Sequence, residues 1–153
     1  MRDNRGVERE IVLRFRDEGV EAPARMLWER APQTCRAIWD ALPVSSLGRH
    51  AIYSGSEVYG VLPVLLKLPR EHATTIVGPG DVGFAWFESG SSYAVEEDYC
   101  EVCWFYDLDA TPSMPEGPIP VNVFARLYDA DAFFAVCRRM RVEGAKTIEI
   151  RAG

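Results

Sequence analysis

Apolar residues recur at two periods along this chain, and the switches between them mark out its elements. Ile11, Leu13 and Phe15 alternate with Val12, Arg14 and Arg16. After the turn residues Asp17-Glu18-Gly19 the alternation resumes from Val20 to Trp28, which predicts a β-hairpin. Pro23 offers no ladder donor, so it is expected at an edge, at a bulge, or with its nitrogen turned from a partner. From Ala31 the period lengthens. Cys35, Ile38, Trp39 and Leu42 stand at i, i+3, i+4, i+7, the stripe of a helix burying one face. Pro32 suits its first turn, where a missing N–H costs nothing, and Pro43 biases Leu42 away from helical geometry. A second stripe, Phe133, Val136, Cys137 and Met140, predicts a helix near residues 130 to 142, with Asp129 as its cap and Gly144 at its end.

The stretch between the stripes reads as strands. Ser46-Leu47-Gly48 permits a turn, and Arg49 to Ser54 then predicts a strand with His50, Ile52 and Ser54 on one face and Ala51 and Tyr53 on the other. Gly55-Ser56-Glu57 interrupts it. Val58 to Leu66 carries another short strand, Ala73 to Val77 a further one, and Gly78-Pro79-Gly80-Asp81 a turn. Val82 to Phe87 and Val102 to Tyr106 are aromatic and β-branched, as buried strands should be, with a loop from Glu88 to Asp98 between them. Four prolines and a glycine from Ala110 to Pro120 forbid regular structure and predict a long surface connection of the kind that borders a site. Asn122 to Leu127 and Thr147 to Ile150 complete the strands. Hairpin, helix, several strands, helix, strand fits a closed antiparallel barrel with a helix over each open end. An open α+β sheet fits the same pattern.

Three short motifs, taken in order, favour the barrel. Ala31-Pro32-Gln33-Thr34 with Ala37 and the Leu42-Pro43 ending, then Gly80-Asp81-Val82, then Val121-Asn122-Val123-Phe124-Ala125 resemble a bacterial cyclophilin-like family that has no assigned activity. The resemblance runs from about Ile11 to Ile150. It implies a mainly β fold, a closed antiparallel cyclophilin-like β-barrel with two capping helices. True cyclophilins isomerise peptidyl-proline bonds by setting an arginine beside the prolyl nitrogen in an apolar, aromatic-lined groove, where donation weakens amide conjugation. At the matching strand this chain has Arg49-His50-Ala51-Ile52, whereas the isomerases carry aromatic-His-Arg. A shift by one position turns each side chain to the opposite face. Ser54-Gly55-Ser56-Glu57 also stands where the isomerases have Gln-Gly-Gly, so the resemblance implies the barrel without the isomerase site.

Composition narrows the rest. At 153 residues and 48% hydrophobic, the chain suffices for one domain that buries roughly two thirds of its unfolded surface. The charged start, Met1 to Gly6, predicts a flexible tail over residues 1–9 ahead of a single domain over 10–153, and it lacks the apolar core of a signal peptide. A cytoplasmic location is expected. No run approaches the roughly 20 apolar residues of a membrane helix. A net charge of -6 gives no footprint for nucleic acid, and Arg138, Arg139 and Arg141 fit the end of a helix. Cys35, Cys100, Cys103 and Cys137 are expected reduced and buried. Cys100 and Cys103 have the spacing of half a metal knuckle, but strand positions three apart face opposite sides, and His50 and His72 are distant. Gly78-Pro79-Gly80 lacks the length and helix context of a phosphate loop. Neither metal nor cofactor is expected.

The remaining chemistry gathers around His50. His50, Ser54 and Glu57 contain the residue types of a hydrolytic triad, yet no nucleophile-elbow pattern accompanies them. They read instead as ligand contacts, together with the aromatic walls Tyr59, Trp86 and Tyr106 and with Asn122 beside the proline-rich loop. Trp39 and Trp104 belong to packing stripes. The expected function is a non-isomerase binding module for a small polar metabolite or peptide segment. The alternative is an enzyme, either a residual prolyl isomerase or an acid-base catalyst using His50 and Glu57. Val61, Leu62, Val64, Leu65 and Leu66 form an apolar run without clean alternation, expected either to pair two copies of the chain or to cover a mouth of its own barrel.

Overall fold

The computed structural model describes residues 9–153. The expected tail therefore lies outside the described residues, save Arg9. Its carbonyl accepts the Met26 N–H at 3.1 Å, and its guanidinium lies 4.8 Å from the Trp39 ring centroid.

Among the described residues, eleven strands and two helices follow in the order β1 (Glu10–Phe15), β2 (Val20–Met26), α1 (Pro32–Ala41), β3 (Val44–His50), β4 (Glu57–Val61), β5 (Ala73–Thr74), β6 (Asp81–Phe87), β7 (Tyr99–Phe105), β8 (Ser113–Met114), β9 (Gly117–Pro118), β10 (Val121–Leu127), α2 (Asp131–Glu143) and β11 (Lys146–Ala152). Going round the sheet, β1 is followed by β11, β3, β4, β7, β6, β10 and β2, and β2 pairs back with β1. All of these pairings are antiparallel. The pairing of Arg25 with Arg126 and of Ala24 with Leu127 closes this eight-strand barrel and removes the open-sheet alternative. The short β5 adds to the flank of β10, while β8 and β9 pair only with each other.

Pro23 sits on β2 where the ladder can spare a donor. Its carbonyl accepts the Tyr128 N–H at 3.0 Å, just past the last β2–β10 pair. A strand residue points its nitrogen and carbonyl to the same side, so the proline nitrogen is turned from β1.

Inward-facing Ile11, Leu13, Phe15, Val102 and Trp104 share one core with the stripes of both helices. Cys35 and Ile38 of α1 are buried, with Trp39 and Leu42 packed beside them, and the Cys35 thiol reaches the Phe124 carbonyl at 3.4 Å. On α2, Phe133, Val136, Cys137 and Met140 are all buried, and Phe133 meets Phe15 with ring centroids 4.6 Å apart. The Gly144 N–H returns to the Met140 carbonyl at 2.9 Å, ending that helix as expected.

Neither helix is capped by its own neighbour. Asp129 does not cap α2; the capping position falls to Ala130, Asp129 adopts a positive φ of 49°, and the acidic residue in the first turn is Asp131. Helix α1 takes its cap from far along the chain. The Glu71 carboxylate accepts the N–H groups of Gln33 and Thr34 at 3.1 and 2.8 Å and the Thr34 hydroxyl at 2.9 Å. A carboxylate there meets both the unpaired N–H groups and the positive end of the helix dipole. Asn122 fixes that loop, accepting the Glu71 N–H at 3.0 Å and donating to Pro69 O at 2.9 Å and Thr34 Oγ at 3.1 Å.

The expected turn at Ser46-Leu47-Gly48 is instead the middle of β3. Gly48 serves close approach, not turning: a Cβ there would lie 3.1 Å from the Lys146 carbonyl of β11. Strand β3 consequently stops at His50 where another strand was expected, and residues 51–56 bend away. The shared face predicted for His50, Ile52 and Ser54 does not form; Ile52 is 83% exposed. The strand expected from Val58 ends at Val61, and that expected from Ala73 to Val77 shrinks to two residues. Within the apolar run, Leu62 is buried and Leu66 packs on the barrel core, so neither belongs to an outer surface. Val61, Val64 and Leu65 remain 41–44% exposed.

Strand β7 sends its side chains alternately to the two sides of the barrel wall. Cys100, Val102 and Trp104 point into the barrel, whereas Cys103 and Phe105 point outward into a second small core with Ala110, Val121 and Val123. The two nearby cysteines thus face opposite sides, as the strand period requires.

Candidate functional site

On the outer wall of the barrel, β4 and β7 lie in a register that pairs Glu57 with Phe105, Tyr59 with Cys103 and Val61 with Glu101. Alternation sends Glu57 and Tyr59 of β4 and Glu101 and Cys103 of β7 to the same outer face. A cavity of about 240 Å³ opens there, walled by Ser54, Glu57, Tyr59, Tyr99 and Glu101 on one side and by Met114, Ile119 and Val121 on another.

Loop residues 51–56 and 106–113 are laced together beside it. Ser54 Oγ accepts the Ser113 N–H at 2.9 Å, the Ser56 hydroxyl donates to Asp109 Oδ1 at 2.5 Å, and Thr111 N–H reaches the Ser54 carbonyl at 2.9 Å. Gly55 makes this possible. Its φ of 79° is a left-handed conformation, and an added Cβ would collide with the Asp109 carbonyl.

The two carboxyls at the wall are unusual for their surroundings. Glu57 is 4% exposed and Glu101 7% exposed, and acid oxygens of both lie within 4.8 Å of each other and of the Cys103 sulfur. Among the described residues no lysine or arginine forms an ion pair with either. Burial pushes the Glu57 carboxyl up to about 7, opposed by the Ser54 hydroxyl and the Cys103 thiol beside it. Burial, and then the charge of Glu57, holds the Glu101 carboxyl well above the usual carboxylate range. The Cys103 thiol is raised by burial and by both carboxyls. A site built this way can hold a shared proton, a divalent cation on two carboxylates and a thiolate, or a positively charged group entering from the cavity.

Ser54, Glu57 and Tyr59 line this cavity. Trp86 and Asn122 line a larger neighbouring one of about 460 Å³, which shares Phe87, Met114 and Ile119 with the first. Both Asn122 amide hydrogens are already used inside the fold. His50 and Tyr106 line neither cavity and instead bond each other, Nε2 to the phenol at 2.7 Å. His50 Nδ1 lies 2.9 Å from the Ala51 carbonyl, which can only accept, so Nδ1 carries the hydrogen and Nε2 accepts from Tyr106. Burial lowers the His50 pKa and favours this neutral form. His50, Ser54 and Glu57 are therefore not linked in series. Arg49 is exposed and lines neither cavity.

Sequence reasoning missed Tyr99 and Glu101, and met Cys103 only as half of a metal pair. The available signal was Glu101 itself, a lone acid among Cys100, Val102, Cys103, Trp104 and Phe105 in a strand too apolar to have a solvent face.

Residues 13–152 match a family described as a protein of unknown function, DUF3830. The chain belongs to the DUF3830 family. None of the curated proteins matches this DUF3830 chain. Its fold is similar to that of McbB in complex with tryptophan, with a TM-score of 0.66 and 18% identity over 92% of this chain. The chain spans only 44% of McbB. It is similar along its whole length to the hypothetical protein AF2241 from Archaeoglobus fulgidus, with a TM-score of 0.62, 25% identity, and coverage of 99% of this chain and 98% of that one. The Mimivirus cyclophilin matches with a TM-score of 0.56 at 10% identity, covering 99% of this chain and 91% of its own. The expected cyclophilin-like barrel is thereby borne out. No helix among the described residues is long and apolar enough to cross a membrane.

Proposed function

We propose that this DUF3830 protein is a non-isomerase binding module that takes a small polar metabolite into the outer-wall cavity over β4 and β7. The observation that carries it is the pair of buried carboxyls, Glu57 and Glu101, facing a walled cavity with no ion pair to a cation among the described residues. Keeping an ionised carboxyl out of water costs several kcal/mol unless something pairs with it, and a group without a partner keeps its proton instead. A fold needs no such expense for packing. Ordered loops around the opening and aromatic walls at Tyr59 and Tyr99 suit a ligand held by its polar end. That Arg49 is exposed and outside both cavities supports a role other than prolyl isomerisation.

A thermal-shift screen of small polar metabolites tests this. A ligand at about 100 times its Kd stabilises the native state by about 2.7 kcal/mol, which for a chain of this size moves Tm by roughly 5–11 °C. The expected hits lose their shift in Glu101→Gln. Hits that persist equally in Glu57→Gln and Glu101→Gln overturn the assignment of this cavity.

A second reading has its own observation. A carboxyl near pKa 7 beside another acid is equipped to move protons, so Glu57 can serve as an acid-base group with Glu101 as the neighbour that tunes it. His50 is not part of it, being engaged with Tyr106. We also propose a homodimer, resting on the outward-facing Val61, Val64 and Leu65.

A further inference from the structure

The walls of the cavity point to one chemical class of ligand. Two carboxyls form its polar end, while the other large groups on its walls are aromatic or apolar, Tyr59, Tyr99, Phe87, Met114 and Ile119 among them. Four other acids on the barrel are matched by bases. Glu21 meets Arg14 and Arg151, Glu149 meets Arg16, Glu18 meets Lys146, and Asp81 meets Arg126. Among the described residues, the neighbours that bear on the two carboxyls are neutral or acidic: Ser54 and Cys103 at Glu57, and Glu57 at Glu101. No hydrogen bond from a described residue reaches the Glu101 carboxyl, although the side chain is more than nine-tenths buried and lines the cavity.

We infer that the cavity binds an organic cation, its protonated amine or amidinium seated between the Glu57 and Glu101 carboxyls and its flat apolar body lying against Tyr59 and Tyr99. This rests on the proposed binding role of the same cavity and names the ligand class. A flat fork of N–H donors matches carboxylate oxygens in direction as well as charge. Tyrosine faces add attraction for a cation brought out of water. An anion would find no counter-charge at either acid and would oppose the ionisation of Glu57. A neutral polar molecule can satisfy their hydrogen bonding, but only a cation also pairs with the carboxylate left when an acid gives up its proton.

A metal ion is the competing occupant, since Glu57, Glu101 and Cys103 offer three donor atoms within 4.8 Å of one another. Their placement favours the organic cation. Cys103 is fully buried and belongs to the dry cluster with Phe105, Ala110, Val121 and Val123, and its sulfur lies 3.2 Å from where a Cβ of Gly83 would sit. An ion reaching all three donors leaves the open part of the cavity for that packed layer.

Benzamidine and benzamide separate the possibilities, because they share a shape and differ in charge. Isothermal titration of the full chain at pH 7.5 is expected to show benzamidine binding about tenfold or more tightly than benzamide, with most of that preference lost in Glu101→Gln and in Glu57→Gln. Equal binding of the two compounds overturns the cation assignment while leaving the cavity a binding site. Failure of benzamidine to bind overturns it as well, and failure of the metabolite screen alongside removes the binding role itself. Stoichiometric binding of zinc chloride that is abolished by Cys103→Ser assigns the site to a metal and likewise overturns the inference. Should either glutamine variant fail to fold by circular dichroism, the comparison of the two compounds on the unmodified chain decides alone.

Discussion

Replacing Glu57 by glutamine should make this protein less sensitive to alkaline pH, and the position of Glu57 sets the size of the effect. Burial against the outer wall of β4 and β7 raises its carboxyl from 4.5 to about 7, so the native state holds a proton that the unfolded chain releases earlier. A raised carboxyl contributes stability that is fully present below the unfolded value and lost as pH climbs through the folded one. The window runs from about pH 4.5 to about 7. At about 1.4 kcal/mol for each unit, the whole transition amounts to roughly 3 kcal/mol, or roughly 6–12 °C in Tm for a domain of this size. Glutamine has the shape of the protonated acid and cannot ionise. Near pH 5 the variant should therefore match the parent closely, and at pH 8 it should be the more stable of the two. His50 titrates in part of the same range with the opposite sign, because burial depresses its pKa and stability falls as pH drops below 6.5. For this reason the readout is the difference between parent and variant, taken from urea unfolding at pH 5, 6, 7 and 8. Parallel stability curves for the two proteins across that range would refute the account of Glu57 as a buried acid without a counter-charge.

Glu71 gives the mirror-image case. Burial raises its carboxyl, but the N–H groups of Thr34 and Gln33 with the Thr34 hydroxyl outweigh that and hold it below the ordinary value. Stability from this cap is therefore present at neutral pH and lost as pH falls through the depressed value; Glu71→Ala should cost about 0.5–2 kcal/mol at pH 7 in urea unfolding and little at pH 2, and an equal loss at both would defeat the capping role. A proline-peptide isomerisation assay should show no acceleration over the spontaneous rate, and turnover that disappears in Arg49→Ala would overturn the non-isomerase reading. Light scattering at micromolar concentration should give the mass of a dimer that Leu65→Glu converts to a monomer, whereas a monomeric mass for the parent defeats the proposed pairing.

The helices were legible because their stripes answer to one partner, the barrel core. Cys35, Ile38, Phe133, Val136, Cys137 and Met140 all occupy the places their spacing predicts. Local punctuation misled where a distant segment had the deciding contact. Gly48 reads as a turn until the carbonyl of Lys146 is brought beside it, and Asp129 reads as a cap until the chain turns through a positive φ. The same limit applies to the site. Glu57 and Glu101 lie 44 positions apart, and only the register of β4 on β7 turns both outward into one cavity. His50 and Glu57 are close in sequence, yet the bend at residues 51–56 gives them different surroundings. Nearness along the chain was the weaker guide because strand pairing, not sequence distance, brings side chains together.

The alternating faces of β7 divide the work of this molecule between neighbouring residues. Positions 100, 102 and 104 are tied to the interior that every barrel of this kind must fill, whereas 101 and 103 answer only to the layer outside it. On the proposed binding role, ligand preference can diverge by exchange at the outward positions of β4 and β7 while the inward ones keep the scaffold unchanged. Swapping Glu57, Tyr59 and Glu101 as a set would then move the proposed binding surface from one such barrel to another without redesigning either core.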